Sequence, residues 1–355
     1  MSTTSRAARA DAELDLTALH DYLSRETELS PGRLSATLVP GGRSNPTYVV
    51  TDGETEWVLR RPPHGVVLET AHDMGREYRV LSALAGTEVP APRPVVICHD
   101  PAVIGAPFYL MERLVGLTIR DRAVAESLTP QERRRFADAM VDVLVTLHEI
   151  DPQSVGLADW ARPHDYLERQ LKRWRKQWDA AHSHELPEID ELFALLERTL
   201  PVTRYPGIVH GDYKVDNLMI ASDDPGHVLG LLDWEMSTLG DTLADVGLMI
   251  SFWDEVGRPF NPLSRGTTAL EGFPTAQEIV EAYAQRRGID PDDIEWYVAF
   301  ADTKIAIILE GIHVRHLAGH TVGHGFDDIA GMVAPLVHRA LDAARTLDTT
   351  HPASA

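Results

Sequence analysis

Asp212, Lys214 and Asn217 share one short polar loop, Ile208-Val-His-Gly-Asp-Tyr-Lys-Val-Asp-Asn-Leu218, and Asp233 follows in a second acidic motif, Leu231-Leu-Asp-Trp-Glu235. Transfer of a phosphoryl group from ATP asks for a carboxylate beside the acceptor hydroxyl and oxygen ligands for Mg²⁺ on the β- and γ-phosphates. A loop offering Asp, then Asn, then Asp on a following strand supplies all three. Asp212 is the candidate base, placed to orient the acceptor hydroxyl and take its proton. Lys214 would reach the transferring phosphate and offset its charge. Asn217 and Asp233 would hold Mg²⁺ through oxygen, with Glu235 close enough in sequence to assist. The same residue types also suit a surface turn in which Asp and Asn bond local backbone. The loop's position between apolar runs, with its partner motif at hairpin distance, favours the chemical reading.

A phosphate needs further contacts. The segment from Val39 to Thr47 holds Gly41, Gly42, Ser44 and Asn45 between two β-type runs and would turn backbone N–H groups toward an anion. Taken alone, Gly-Gly between strands is a hairpin turn. The lysines stand at 172, 176, 214 and 304, so the first third of the chain has none. A cation reaching the α/β-phosphates from the third β-run must therefore be Arg60 or Arg61. Alternation along Glu56–Arg60 puts Trp57 and Leu59 on one face and Val58 and Arg60 on the other. Arg60 is the choice, with Arg61 read as a solvent-facing residue. Glu77, on the next helical run, is its expected ion-pair partner, the alternative being an exposed helix carboxylate. Arginine brings a planar fork where lysine brings a point charge.

Other polar clusters have ordinary explanations as well. In Tyr166–Trp178, Leu167, Leu171, Trp174 and Trp178 make one helical face, while Arg169, Lys172, Arg173, Arg175 and Lys176 make the rest basic. Such a concentration of cations would capture a phosphorylated or CoA-bearing substrate, or simply pair with neighbouring carboxylates. Asp241 suits a helix N-cap, and Asp245 would brace the catalytic loop. His313, His316, His320 and His324 read as a helix-end cluster rather than a metal site. His148 and Cys98 read as packing residues.

The elements that must position these groups fall into two blocks. A short amphipathic helix carrying Leu14, Leu16, Leu19, Tyr22 and Leu23 and ending near Pro31 precedes β-type runs at 34–39, 47–51 and 56–60, with turn signals at Gly41-Gly42 and Asp52-Gly53. A helix over 74–84 and strands over 95–98 and 107–112 complete the β-rich third. Helical periodicity then dominates, at 137–148, 166–178, 189–200, 276–287, 294–317 and 330–347, interrupted by strands at 217–221 and 228–232. The pattern predicts an α+β chain of two lobes. Its parts are a disordered start (1–11), an N-lobe (12–110), a hinge (111–117), a C-lobe (118–347) and a disordered tail (348–355).

Composition narrows the partners. The chain has 355 residues and a formal net charge of −21, which disfavours nucleic acid or an anionic membrane as partner. One cysteine, no apolar leader and no run long enough to span a bilayer point to a cytoplasmic enzyme.

The motifs His-Gly-Asp-x₄-Asn and Leu-Asp-Trp-Glu fall at the spacing of a kinase catalytic loop and resemble those of the aminoglycoside phosphotransferase family, which includes choline kinases. Ser-Asn-Pro-Thr-Tyr48, Val-Leu-Arg-Arg-Pro-Pro63, Arg-Glu-Tyr-Arg-Val-Leu-Ser-Ala-Leu84 and Leu-Asp-Trp-Glu-Met-Ser-Thr-Leu-Gly240 are similar to the branch fused to acyl-CoA dehydrogenases in larger proteins. The resemblance runs from about 34 to 320. It implies a protein-kinase-like bilobal fold, a small β-rich N-lobe with one main helix and a larger, mainly helical C-lobe. ATP would lie between the lobes, its adenine at Met111, Glu112 and Arg113. The resemblance also implies Asp212 as base, Asn217 and Asp233 as Mg²⁺ ligands, and Arg60 with Glu77 as the phosphate-clamping pair, with Arg60 standing where many members have lysine. For this branch it implies a hydroxyacyl-CoA acceptor, phosphorylated in fatty-acid breakdown, and an acyl-CoA dehydrogenase as a partner. Rival readings are a kinase of another small alcohol, aminoglycoside- or choline-like, and a nucleotide-binding pseudokinase. A cationic acceptor would draw on Asp254, Glu255 and Glu310.

Overall fold

The computed structural model describes residues 14–39, 45–63, 73–162, 165–257, 261–319 and 328–350. The expected disordered start at 1–11, Gly41, Gly42, Ser44, His320, His324 and the end of the tail lie outside them. The chain divides into two compact units, Met1–Val115 and Gly116–Ala355.

The first unit is built on one antiparallel sheet of order β1-β2-β3-β5-β4, from β1 (Ser35–Leu38), β2 (Thr47–Thr51), β3 (Glu56–Arg60), β4 (Pro94–Cys98) and β5 (Phe108–Glu112). Alternation works as expected on β2 and β3: Tyr48, Val50, Trp57 and Leu59 turn inward and meet Leu19 and Leu23 of α1 (Leu16–Glu26), together with Phe108 and Leu110. Each such apolar side chain contributes about 1.5–3 kcal/mol of burial. Asp15 caps α1, and Asp73 caps α2 (Met74–Leu84), each by accepting two backbone N–H groups. The Asp52-Gly53 turn forms as expected: Asp52 Oδ1 accepts from the N–H groups of Glu54 and Thr55, and Gly53 takes φ +95. Cys98 lies buried in this core.

The second unit is mainly helical. After the short strand β6 (Leu117–Thr118) come α3 (Arg122–Ser127), α4 (Pro130–Glu149), α5 (Tyr166–Ala180) and α6 (Glu188–Arg198). Strand β7 (Pro206–Val209) leads into the catalytic loop, and β8 (Leu218–Ile220) and β9 (Val228–Leu231) form a hairpin that β6 joins. Strand β10 (Thr238–Asp241) returns to pair with β7. Then follow α7 (Leu243–Ser251), α8 (Ala276–Arg287), α9 (Ile294–Leu317) and α10 (Ala330–Thr350). Helix α4 starts seven residues before the expected 137, because Thr129 and Glu132 close a capping box ahead of the apolar stripe. The last helix runs to Thr350, beyond the expected end at 347. Helix α9 is apolar on most sides because it is enclosed by other helices. Gly247 of α7 lets it come close: a Cβ there would lie 2.5 Å from the Tyr297 main chain. Among the described residues, no helix is long and apolar enough to cross a membrane.

Candidate active site

The catalytic loop is the link between β7 and β8, and its shape is set by hydrogen bonds to its own backbone. Asp245, fully buried on α7, accepts the N–H of His210 on Oδ2 at 2.6 Å and the N–H of Gly211 on Oδ1 at 2.7 Å. Burial alone would raise this carboxyl, but hydrogen bonds from His148 and Gly211 outweigh it and hold it below the usual carboxylate range. Gly211 sits at φ +82, and a Cβ at that position would lie 2.4 Å from the Met236 carbonyl oxygen. Glycine is thus required both for conformation and for space.

His210 ties the loop to the following hairpin. Its Nδ1 accepts from the Asp212 N–H at 3.2 Å, which assigns the proton to Nε2, 3.0 Å from the Leu232 carbonyl. Burial lowers its pKa, so the ring is neutral and both nitrogens are committed. The Leu232 N–H in turn donates to the Asn217 carbonyl at 2.8 Å, and Leu218 pairs with Leu231. Asn217 and Asp233 therefore stand at adjacent ends of neighbouring strands. Asp233 itself is in the left-handed region, φ +65. Glu235 is half-buried on the 3₁₀ turn just after it.

Two donors meet at Oδ2 of Asp212: Lys214 Nζ at 2.8 Å and Asn217 Nδ2 at 2.9 Å. Lys214 raises its pKa despite the opposing effect of desolvation, because the charges of Asp212, Asp216 and Asp233 surround it. With Nδ2 of Asn217 committed to Asp212, its Oδ1 is the amide's acceptor. An amide oxygen beside a carboxylate is a hard donor set of the kind Mg²⁺ takes when phosphates and water complete its shell. Among the described residues no group of three or more His, Cys, Asp or Glu side chains is arranged to hold a metal ion by itself.

In the first unit Arg60 and Glu77 pair as expected, Nη1 to Oε2 at 3.0 Å, both nearly buried. Tyr109 donates to the same Glu77 oxygen at 2.6 Å, a partner that sequence spacing did not indicate. Arg61 is not solvent-facing: it is fully buried, donating to the Pro62 carbonyl and to the Tyr48 hydroxyl, with its guanidinium over the Tyr48 ring. The Arg61 N–H still donates to the Pro46 carbonyl at 3.2 Å, so the β2–β3 pairing carries one residue past β3 and puts Arg61 on the inner face with Trp57 and Leu59. Asn45 is buried. Met111 and Glu112 belong to β5, with Glu112 bonded to Arg93 through both main chain and side chain; Arg113 pairs with Glu56 at 2.6 Å.

The basic helix α5 buries its apolar face as expected. Arg169 donates to the Arg162 carbonyl and Lys172 pairs with Glu168, so both are held locally, around a surface cavity of about 490 Å³ that they line with Arg162 and Asp165. Arg173 stacks over Trp174, and its charge is felt at Lys304. Lys176 is exposed. His148 is more than a packing residue: its Nε2 lies 3.2 Å from Asp245 and its Nδ1 accepts from Tyr283 at 2.6 Å. Asp241 ends β10 instead of capping α7 itself, yet accepts from the Leu243 N–H and the Tyr297 hydroxyl. Asp254 accepts from Asn261, Ser264 and Gly266, Glu255 from the Ala276 N–H, and Glu310 from the Ser183 N–H.

Fold and loop together define a protein-kinase-like α+β phosphotransferase. Residues 35–293 match the model of the phosphotransferase enzyme family (APH), and the chain belongs to that family. It is an enzyme of that class, a small-molecule kinase. A crystal structure of a putative aminoglycoside phosphotransferase from Ralstonia eutropha is 33% identical, with a TM-score of 0.82 over 94% of this chain and 99% of that one. Acyl-CoA dehydrogenase family member 11 of Rattus norvegicus is 33% identical over 355 residues, 96% of this chain; the chain spans only 44% of that protein's length. A thermostable mutant of an aminoglycoside phosphotransferase in ternary complex with AMP-PNP and hygromycin B shares the fold, with a TM-score of 0.60 at 13% identity.

Proposed function

We propose that the enzyme transfers the γ-phosphoryl group of ATP to a hydroxyl of a hydroxyacyl-CoA or a related hydroxy acid. The observation that carries this reading is the meeting of Lys214 and Asn217 on one oxygen of Asp212, with Asp233 on the adjoining strand end. Asp212 takes the acceptor's proton as its oxygen bonds to phosphorus. The bond from phosphorus to the bridging oxygen of ADP breaks, and ADP leaves with that electron pair. Lys214 offsets charge on the transferring group. Asn217 and Asp233, with Glu235, would hold Mg²⁺, which when bound neutralises phosphate oxygens. In the first unit, Arg60, oriented by Glu77, is the cation assigned to the α/β-phosphates. The main chain at Met111, Glu112 and Arg113 is assigned to adenine, and the Gly41, Gly42, Ser44 and Asn45 segment to the phosphate cover.

The nucleotide assignment is supported by the fold neighbour held with AMP-PNP. The acceptor assignment is supported by the relatives' name, acyl-CoA dehydrogenase family member 11, and by the basic residues Arg169, Lys172, Arg173 and Lys176 of α5. It extends to a separate acyl-CoA dehydrogenase as docking partner and to action in the cytoplasm, which the single free Cys98 suits. A cationic acceptor is disfavoured because Asp254 and Glu255 are occupied by loop and cap donors.

ADP release by wild type and Asp212→Asn across panels of hydroxyacyl-CoAs, aminoglycosides and amino alcohols tests both parts. The substitution should lower turnover by roughly 10²–10⁴. Equal rates would remove Asp212 as base, and turnover confined to cationic alcohols would remove the acyl-CoA acceptor.

A further inference from the structure

We infer that Lys304 is a positioning residue for phosphoryl transfer, holding through its hydrogen bond to the Gly211 carbonyl the one peptide plane that aims Asp212. The inference rests on the reading of Asp212 as the catalytic carboxylate.

The peptide joining Gly211 to Asp212 is gripped at both ends. Its C=O accepts from Lys304 Nζ, which reaches in from α9, and its N–H donates to His210 Nδ1 at 3.2 Å. One residue earlier, the Gly211 N–H is held by Asp245 of α7. Glycine at φ +82 lacks the Cβ that would otherwise restrict its ψ, so this plane would rotate readily if one end were released. Rotation would swing the Cα–Cβ bond of Asp212 away from the oxygen position shared with Lys214 and Asn217. Both grips therefore bear on where the carboxylate points.

Lysine is a costly choice at this position on stability grounds alone. Its chain runs among Tyr166, Leu248 and Phe300, with Asp245 nearby. Burial pushes its pKa down, the charges of Asp212 and Asp245 oppose that, and the charges of Arg173 and Lys214 add to it. Among the described residues its ammonium donates to the Gly211 carbonyl oxygen. An apolar side chain of similar length would pack there without that desolvation cost. The ammonium is thus explained by what it does to the loop. Lys214 and Lys304 divide the work: Lys214 lies on the reacting side of Asp212, and Lys304 secures the main chain before it.

The test uses the full chain with Lys304→Met and Lys304→Arg. Hydrogen–deuterium exchange of the 208–218 segment reads the loop with no acceptor needed, and ADP release from Mg-ATP with the hydroxyacyl-CoA panel reads turnover. Lys304→Met should speed exchange of that segment about tenfold and lower kcat about 10²-fold, as expected of a displaced catalytic group. KM for ATP should stay within about twofold, and far-UV circular dichroism should stay that of the wild type. Lys304→Arg, which keeps a donor, should restore most of kcat. Exchange unchanged in Lys304→Met overturns the proposal whatever the acceptor proves to be. Faster exchange with unchanged kcat, or with no recovery in Lys304→Arg, assigns Lys304 to packing alone and overturns it equally.

Discussion

Lys214 places its ammonium 2.8 Å from Oδ2 of Asp212, two residues back along the chain. Lys214 itself is extended, φ −155 and ψ 164, and in such a segment residues i and i+2 share a face. The pair is part-buried, with side-chain exposures of 21% and 24%, so each group is within reach of a substrate. Lys214→Met should lower kcat by roughly 10²–10³, the loss expected when one preorganised donor to a developing charge is removed. Binding of ADP, followed by calorimetry, should change far less than kcat does.

The Arg60–Glu77 pair predicts a stability effect that an exposed pair would not produce. Glu77 is 2% exposed and also accepts from Tyr109. Arg60→Ala removes the guanidinium 3.0 Å from that buried carboxylate and should cost roughly 3–5 kcal/mol in urea unfolding. Arg60→Ala combined with Glu77→Gln should be less destabilised than Arg60→Ala alone.

Gly211→Ala tests the loop by geometry. The new Cβ would lie 2.4 Å from the Met236 carbonyl oxygen at a backbone φ of +82. Strain of about 1–3 kcal/mol is expected from the dihedral alone, and the clash adds to it. Thermal unfolding should move down, with turnover falling further than the loss of stability accounts for. Gly226→Ala, where the nearest atom to a Cβ is 3.4 Å away, is the control.

His148 makes stability depend on pH. Burial lowers its pKa below the usual 6.5, so the folded ring stays neutral while the unfolded one takes up a proton. The unfolded state then binds more protons below about pH 6.5, and stability falls as pH drops through that point toward the depressed folded value. Urea midpoints measured from pH 7.5 to 5 should fall on the acid side. The fall should be shallower in His148→Gln, which has no proton to gain. An equal slope in the variant would assign the effect to other groups.

Much of this protein is legible in its sequence. Spacing put Asp212 and Asn217 in one loop, where they are hydrogen-bonded, and the lack of a nearby lysine with strand alternation chose Arg60, which pairs with Glu77. Periodicity gave the bounds of β2, β3, α2, α8 and α9 as they stand. These succeed because each depends on neighbours a few residues away: a pleat, a helical turn, a hairpin.

Arg61, His148, Tyr109 and Lys304 were decided only by tertiary structure. Periodicity reports that a face is covered without naming the distant segment that covers it. Lys304 meets Gly211 across 93 residues, His148 meets Asp245 across 97, and Tyr109 meets Glu77 across 32. Arg61 is buried because its N–H stays bonded to Pro46 across the strand pair, which keeps its side chain on the inner face over Tyr48. The order of chemical groups along the loop is therefore a property of sequence. The direction in which they point is set by helices α7 and α9, whose charges reach the loop only once the chain has folded.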